Sequence, residues 1–313
     1  TDNIDSIVGT NPVGMVFSEY ALQNPKAWEL VRPILALNDG WAVFNYTPRG
    51  RNHGWRLFTM AERNPDWFVQ KLSVEDTGLL SKDDIERERT EGMPEELIAS
   101  EYFCSWDAAL PGAYYREQLD RAHTDNRITS VPHRPGYPVY TGWDIGVGDS
   151  TAIWFVQVIG NDLHCIDYEQ HSGEGLPFYV NLIKEKGYTY AEHFAPHDIV
   201  AREFASGKSR LEMARDLGLY LTVVRKSPID DGINCCRSMF NRFQFDLDKC
   251  GHGIDCLAAY RKEFDDKNQM WKTKPVHDWS SHAADAFRSF CMGFDEMAHQ
   301  HHNRPTRVIR AIG

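Results

Sequence analysis

Three aspartates in widely separated stretches have surroundings suited to cation chemistry: Asp144 in GWDIGVGDSTAIW, Asp198 in HFAPHDIVARE and Asp285 in HDWSSHAADAFRSF. Asp144 is expected on a strand, followed by two glycines that let the backbone turn tightly and bring something close. Asp198 falls just after a strand and a Pro-His corner. Asp285 sits beside the apolar helical stripe Ala283, Ala286, Phe287 and Phe290. Carboxylate oxygens suit Mg²⁺, which keeps several waters and binds phosphate oxygens in its remaining positions. Two such ions about 4 Å apart can activate a water and stabilise the leaving oxygen in phosphodiester cleavage. Each aspartate also has a plainer reading. Asp144 and Asp149 flank a glycine turn, Asp198 suits a helix N-cap, and Asp285 could be a solvated residue at the edge of a packed face. Spacing alone does not join the three into one site.

The elements that must position them read as two α/β units. The first opens with a strand at 13–17, a helix at 25–37 and a strand at 41–46, a unit that is most economically part of a parallel sheet. Residues 76–125 are more charged and helical, and HRPGYPVY at 133–140 suits an interdomain linker. The second unit carries strands at 139–144, 151–158, 162–168, 190–194 and 219–224. Helices are expected at about 176–186, 208–217 and 229–248, and a last helix carries Asp285. The expected domains are therefore 1–75, a helical linker region at 76–137, a second α/β domain at 138–295 and a flexible basic tail at 296–313.

The 313 residues carry a net charge of −11, which argues against a surface coated for nucleic acid but leaves room for a local basic track. Candidate phosphate contacts are Lys208, Arg210, Arg225 and Lys226, with Lys272 and Lys274 just ahead of Asp285. No run of about 18 apolar residues appears, so no membrane span is expected. Seven cysteines without regular spacing read as reduced thiols of a cytosolic protein. Cys250, His252 and Cys256 lack the second pair of a structural zinc site. Gly207-Lys208-Ser209 is the one GK[ST] in the chain, but Arg202 stands where a phosphate loop needs glycine, so a helix start is expected there.

The ordered series GWDIGVGDSTA, APHD with REFASGKSRLE, and HDWSSHAADAFRSF resembles the RNase H-like nuclease domain of the large terminase subunit of tailed bacteriophages. SEYFCSWDAALPGAYY resembles the segment joining that family's ATPase to its nuclease. GMVFSEYA resembles its Walker B strand, and FNYTPRG its coupling motif. The resemblance covers most of the chain. It implies an α/β fold with a partial P-loop ATPase sheet, a helical linker and an RNase H-like nuclease domain. Asp144, Asp198 and Asp285 would hold two Mg²⁺ or Mn²⁺ ions for endonucleolytic cutting of double-stranded DNA during packaging. Glu19 would position water for ATP hydrolysis, or else be a strand-end acid capping the next helix. Thr47 and Pro48 would couple hydrolysis to motion. Ser18 stands where Walker B usually has Asp, and no Walker A is present, so the chain is expected to be a C-terminal portion of a longer protein that alone neither binds ATP well nor hydrolyses it. Implied partners are DNA, the small terminase subunit and the portal protein, with the basic tail at the portal, and the implied location is the host-cell cytoplasm. Asp149 remains open between an auxiliary acid and a turn residue, and His282 between a site residue and a hydrogen-bonded structural one. A resolvase or transposase with the same aspartates, or a non-catalytic DNA-binding or docking module, are the rival readings.

Overall fold

A computed structural model of the chain describes residues 9–106, 112–146, 150–202, 207–265 and 270–302. Asp149 and the tail residues Arg304, Arg307 and Arg310 lie outside these. The chain divides into two compact units, Thr1–Arg116 with Ile254–Ser281, and Glu117–Gly253 with His282–Gly313.

In the first unit, strand β1 (Gly14–Ser18), helix α1 (Lys26–Leu37) and strand β2 (Trp41–Asn45) form the expected crossover, and the strands pair in parallel from Gly14 opposite Trp41 to Ser18 opposite Asn45. Ala27, Val31 and Leu35 of α1 are buried at helical spacing. Phe17 stacks on Phe44 with centroids 4.8 Å apart, and Trp28 meets Phe44 edge-on at 5.0 Å. Helix α2 (His53–Glu62) starts where the Asn52 side chain accepts from the Gly54 N–H at 3.0 Å. The charged segment folds into α3 (Val74–Thr77), α4 (Lys82–Thr90) and α5 (Glu95–Glu101). Ser73 with Asp76, and Ser81 with Asp84, close capping boxes that satisfy otherwise orphaned N–H groups.

The second unit contains α6 (Arg116–Thr124), β3 (Ile128–Thr129), β4 (Val139–Asp144), β5 (Ser150–Ile159), β6 (Asp162–Ser172), α7 (Leu176–Glu185), β7 (Tyr190–Ala195), α8 (Arg210–Asp216), β8 (Thr222–Val223), α9 (Ile229–Met239) and β9 (Phe243–Asp246). Its sheet order is β3-β9-β6-β5-β4-β7-β8. Strands β4, β5 and β6 form an antiparallel meander, and β7 then lies parallel to β4 and β8 parallel to β7. The expected α/β class is borne out, with a central, mostly parallel sheet in the second unit. On one face Trp143, Ile153 and Phe155 are buried with Tyr179, Val180 and Ile183 of α7. Helix α10 (Leu247–Ala259), the antiparallel hairpin of β10 (Lys262–Asp265) and β11 (Met270–Pro275), and α11 (Ser281–His302) complete the chain.

One expected helix is broken. The stretch 229–248 holds α9, one 3-10 turn at Phe240–Arg242, and strand β9. Phe243 and Phe245 alternate with polar residues, and both bury completely near Phe287, at 4.7 and 6.1 Å between centroids. Asp246 accepts the Val131 N–H at 2.7 Å, which anchors the strand end. Period-two burial in the sheet outweighs the helical character of the longer window. Helix α11 runs on to His302, the strand expected at 219–224 shortens to β8, and the β10–β11 hairpin has no counterpart in the sequence reading.

His193 of β7 accepts a hydrogen bond at Nδ1 from the Thr141 hydroxyl, 2.6 Å away, while Thr141 Oγ1 accepts from Trp143 Nε1 at 2.7 Å. Burial lowers the imidazole pKa to about 4. A folded-state value below the unfolded one means that its stabilising contribution is full above about pH 6.5 and is lost as pH falls toward 4. Urea melts of His193→Asn, whose amide oxygen can still accept from Thr141, should therefore lose stability less steeply across that window, by up to about 1 kcal/mol per pH unit.

Candidate functional site

Strand order explains how distant segments reach one place. Gly142 of β4 pairs with Phe194 of β7 in parallel, so Asp144 and the turn after Ala195 leave the sheet at the same edge. Asp198 lies in that turn, in the 3-10 segment His197–Val200, and is exposed. Its side chain makes no N-cap bond; Pro196 occupies the cap position. Strand β8 runs parallel to β7, Ala195 opposite Val223, which carries Arg225 and Lys226 to the same edge. Ligands of open α/β sheets commonly bind beyond the carboxyl ends of parallel strands.

Asp285 comes from α11. Ala283, Ala286, Phe287 and Phe290 are fully buried, as the helical stripe predicts. Trp154 Nε1 donates to the Ala283 carbonyl at 2.9 Å. A Cβ at Gly142 would lie 2.4 Å from Phe290 Cβ and 2.5 Å from the Ala286 carbonyl oxygen, so the missing side chain is what lets the helix rest on β4. His282, one turn before Asp285 and nearly buried, places Nδ1 3.0 Å from Asp144 Oδ2. This contact joins α11 to β4 directly, so His282 is a hydrogen-bonded residue of the site's own framework. Asp285 pairs with Arg288, Nη1 to Oδ1, at 3.0 Å.

The donor set is hard and partly open, with side-chain exposures of 20 % for Asp144 and 31 % for Asp285, and its chemistry fits a divalent cation. Among the described residues, no group of three or more His, Cys, Asp or Glu side chains is drawn together closely enough to hold a metal ion. The backbone thus brings Asp144 and Asp198 to one edge, Asp144 being engaged by His282, while Asp285 on α11 is engaged by Arg288.

The basic candidates separate. Gly207-Lys208-Ser209 is the start of α8: Ser209 caps it and closes a box with Glu212, and Lys208 pairs with Asp216 at 2.6 Å. The Arg210 guanidinium donates to the carbonyl of Ile145, immediately after Asp144, and Ser209 bridges Arg202, so α8 braces the turns that follow both β4 and β7. Arg225 is 79 % exposed and 3.5 Å from Glu296, and Lys226 is exposed. In the first unit, Lys272 pairs with Glu263 at 2.5 Å, and Lys274 is exposed.

Also in the first unit, Glu19 follows β1 with φ 56° and ψ 42° and makes no cap bond, so the capping alternative is not realised. A non-glycine residue in this region is strained, and such strain gathers at functional sites. Thr47 Oγ1 donates to Glu101 at 3.4 Å, Arg49 pairs with the same carboxylate, and Pro48 is buried. The turn at 47–49 is therefore tied to the end of α5. Nothing in the sequence singled out Glu101, whereas Arg288 stands at the i+3 position from Asp285 and could have been read as its partner.

Two substitutions test these placements. Gly142→Ala should destabilise the protein by about 2 kcal/mol or more, because backbone lies against the new methyl. Glu19→Gly should stabilise it by up to about 1 kcal/mol through relief of the left-handed strain. Denaturant unfolding reads both.

No protein-family model and no curated protein matches the sequence. Among solved structures, the large terminase of a thermophilic bacteriophage is 18% identical over 92% of this chain and 70% of that one, with a TM-score of 0.45. The large terminase nuclease of thermophilic phage G20c, with bound cobalt, is 13% identical over 58% of this chain and 97% of its own, with a TM-score of 0.43. The P22 large terminase nuclease domain is 15% identical over 54% and 89%, with a TM-score of 0.42. The chain resembles large terminase subunits.

Proposed function

We propose that the chain is the nuclease-bearing part of a large terminase subunit and cuts double-stranded viral DNA during genome packaging. What supports this reading is that Asp144 and Asp198 leave one sheet edge from two parallel strand ends, while α11, the helix that carries Asp285, is clamped to the same sheet. Those carboxylates would hold Mg²⁺ or Mn²⁺, two ions in all. Bound there, the ions supply an activated water and stabilise the leaving oxygen of the phosphodiester.

The chain's own residues orient the site. His282 holds Asp144 from one side, and Arg210 fixes the turn behind it. Arg225 and Lys226 lie at the edge where phosphates would approach, and contacts of that kind are independent of base sequence. Lys208, Lys272 and Lys274 are further candidate phosphate contacts, with Lys208 and Lys272 spending part of their charge on acidic neighbours. In the complete protein ATP hydrolysis would drive translocation, with Glu19 positioning water and Thr47 and Pro48 coupling hydrolysis to motion through the contact with Glu101. The implied partners are the small terminase subunit and the portal protein. The implied setting is the host cytoplasm, and no helix among the described residues is long and apolar enough to cross a membrane. The proposed domains are an ATPase portion at 1–75, a linker region at 76–137, a nuclease at 138–295 and a basic tail at 296–313.

Incubation with linear duplex and with four-way junction DNA, in Mg²⁺, Mn²⁺ or EDTA, tests the reading. Duplex cutting should need metal and fall at least about 100-fold in Asp144→Ala. Metal-independent cutting, full activity in that variant or a strong preference for junctions would refute it. Arg225→Ala with Lys226→Ala should weaken duplex binding and flatten its salt dependence by about two phosphate contacts.

A further inference from the structure

Glu19 stands directly after β1 in the left-handed region, at φ 56°. Asp and Asn tolerate that region because their short polar side chains bond locally, and glutamate has no such help. Strain of this kind persists only where the surroundings over-determine the backbone. Upstream, β1 is fixed by its pairing with β2 as far as Ser18. Downstream, the 3-10 turn Tyr20–Leu22 is held at three successive carbonyls. The Tyr20 carbonyl accepts from His53 Nε2 at 2.8 Å, that of Ala21 from Asn52 Nδ2 at 2.8 Å, and that of Leu22 from Trp279 Nε1 at 3.3 Å. Asn52 and His53 are only 5% and 4% exposed, so water does not compete for their two bonds. Because a carbonyl only accepts, His53 carries its proton on Nε2. The Asn52 amide has two tasks: Oδ1 caps α2 through the Gly54 N–H, and Nδ2 reaches back to the turn.

We propose that Asn52 and His53 form a clasp that holds Glu19 in its strained conformation and so fixes where its carboxylate points. The functional meaning of the clasp rests on the reading of Glu19 as the residue that positions water. Relaxation of φ at this residue would re-aim its Cα–Cβ bond, and the carboxylate with it. The clasp begins only a few residues beyond the turn at Thr47 and Arg49, which Glu101 holds. Movement of that turn would therefore reach Glu19 through the first residues of α2. Asn52 and His53 are positioning residues, acting on Glu19 and not on the reacting atoms.

Urea unfolding of the whole chain, run as a double-mutant cycle, decides whether the clasp holds the strain. Glu19→Gly should raise the unfolding midpoint of the wild type, because glycine adopts positive φ freely. In Asn52→Asp, which keeps the cap oxygen and loses the donor, that gain should shrink to less than about half. It should shrink likewise in His53→Phe and return in His53→Gln, whose amide nitrogen can stand in for Nε2. Asp39→Gly, at a second left-handed residue with φ 48°, should give the same shift in every background. No gain in the wild type, or an undiminished gain in Asn52→Asp and His53→Phe, overturns the proposal. If His53→Phe does not fold, Asn52→Asp with its retained cap carries the cycle alone. In the complete protein, Asn52→Asp should lower kcat for ATP hydrolysis at least about tenfold while KM stays within about twofold. Full hydrolysis by Glu19→Gln refutes the reading of Glu19 itself, whereas an additive cycle beside an inactive Glu19→Gln refutes only the clasp.

Discussion

Helix α11 can lie on strand β4 only because position 142 has no side chain. With Phe290 Cβ and the Ala286 carbonyl less than 3 Å from where a Cβ would stand, the approach is at its steric limit. The rest of the candidate site follows from that contact. It brings His282 within hydrogen-bond distance of Asp144, buries Phe287 and Phe290 against the sheet, and leaves Asp285 half-buried at the rim. Burial of the two phenylalanines contributes on the order of 2–3 kcal/mol each, far more than any single polar contact at the edge. Apolar packing thus sets the helix, and the polar groups are aimed by it.

The same division holds across the second unit. The α7 face is filled by Trp143, Ile153, Phe155 and Tyr179, while on the α11 face Trp154 gives its indole N–H to a helix carbonyl. Alternation along β4 therefore places Trp143 toward one core and Gly142 and Asp144 toward the helix. One strand anchors both layers and ends on the carboxylate. Arg210 adds a brace from α8, which makes it a support of the turn after Asp144 as well as a candidate phosphate contact.

Much of this was legible in the residues. The strand–helix–strand unit at the start, the meander at 139–172, the α11 stripe and the helix start at Ser209 all follow from local periodicity and capping chemistry. The stretch 229–248 misled because its apolar residues suit a helix, whereas Phe243 and Phe245 become a strand only when β6 and β3 offer edges to pair with. The β10–β11 hairpin was missed for a related reason: its register is defined by partners, and no strong turn signal marks it.

The sequence by itself singled out Asp144, Asp198 and Asp285 as candidates, because their motifs and order carry the resemblance, and it determined the faces of the helices, because burial follows a period. Only the tertiary structure decided how each carboxylate is partnered. That His282 takes Asp144, that Arg288 takes Asp285, and that Glu101 holds the turn at Thr47 depends on contacts between side chains far apart in the chain or on different turns of a helix. The same is true of Gly142 and Gly232, whose missing side chains matter only because another element occupies the space. Local propensity encodes the direction in which a residue points along its own element, and what it meets there is fixed by packing between elements.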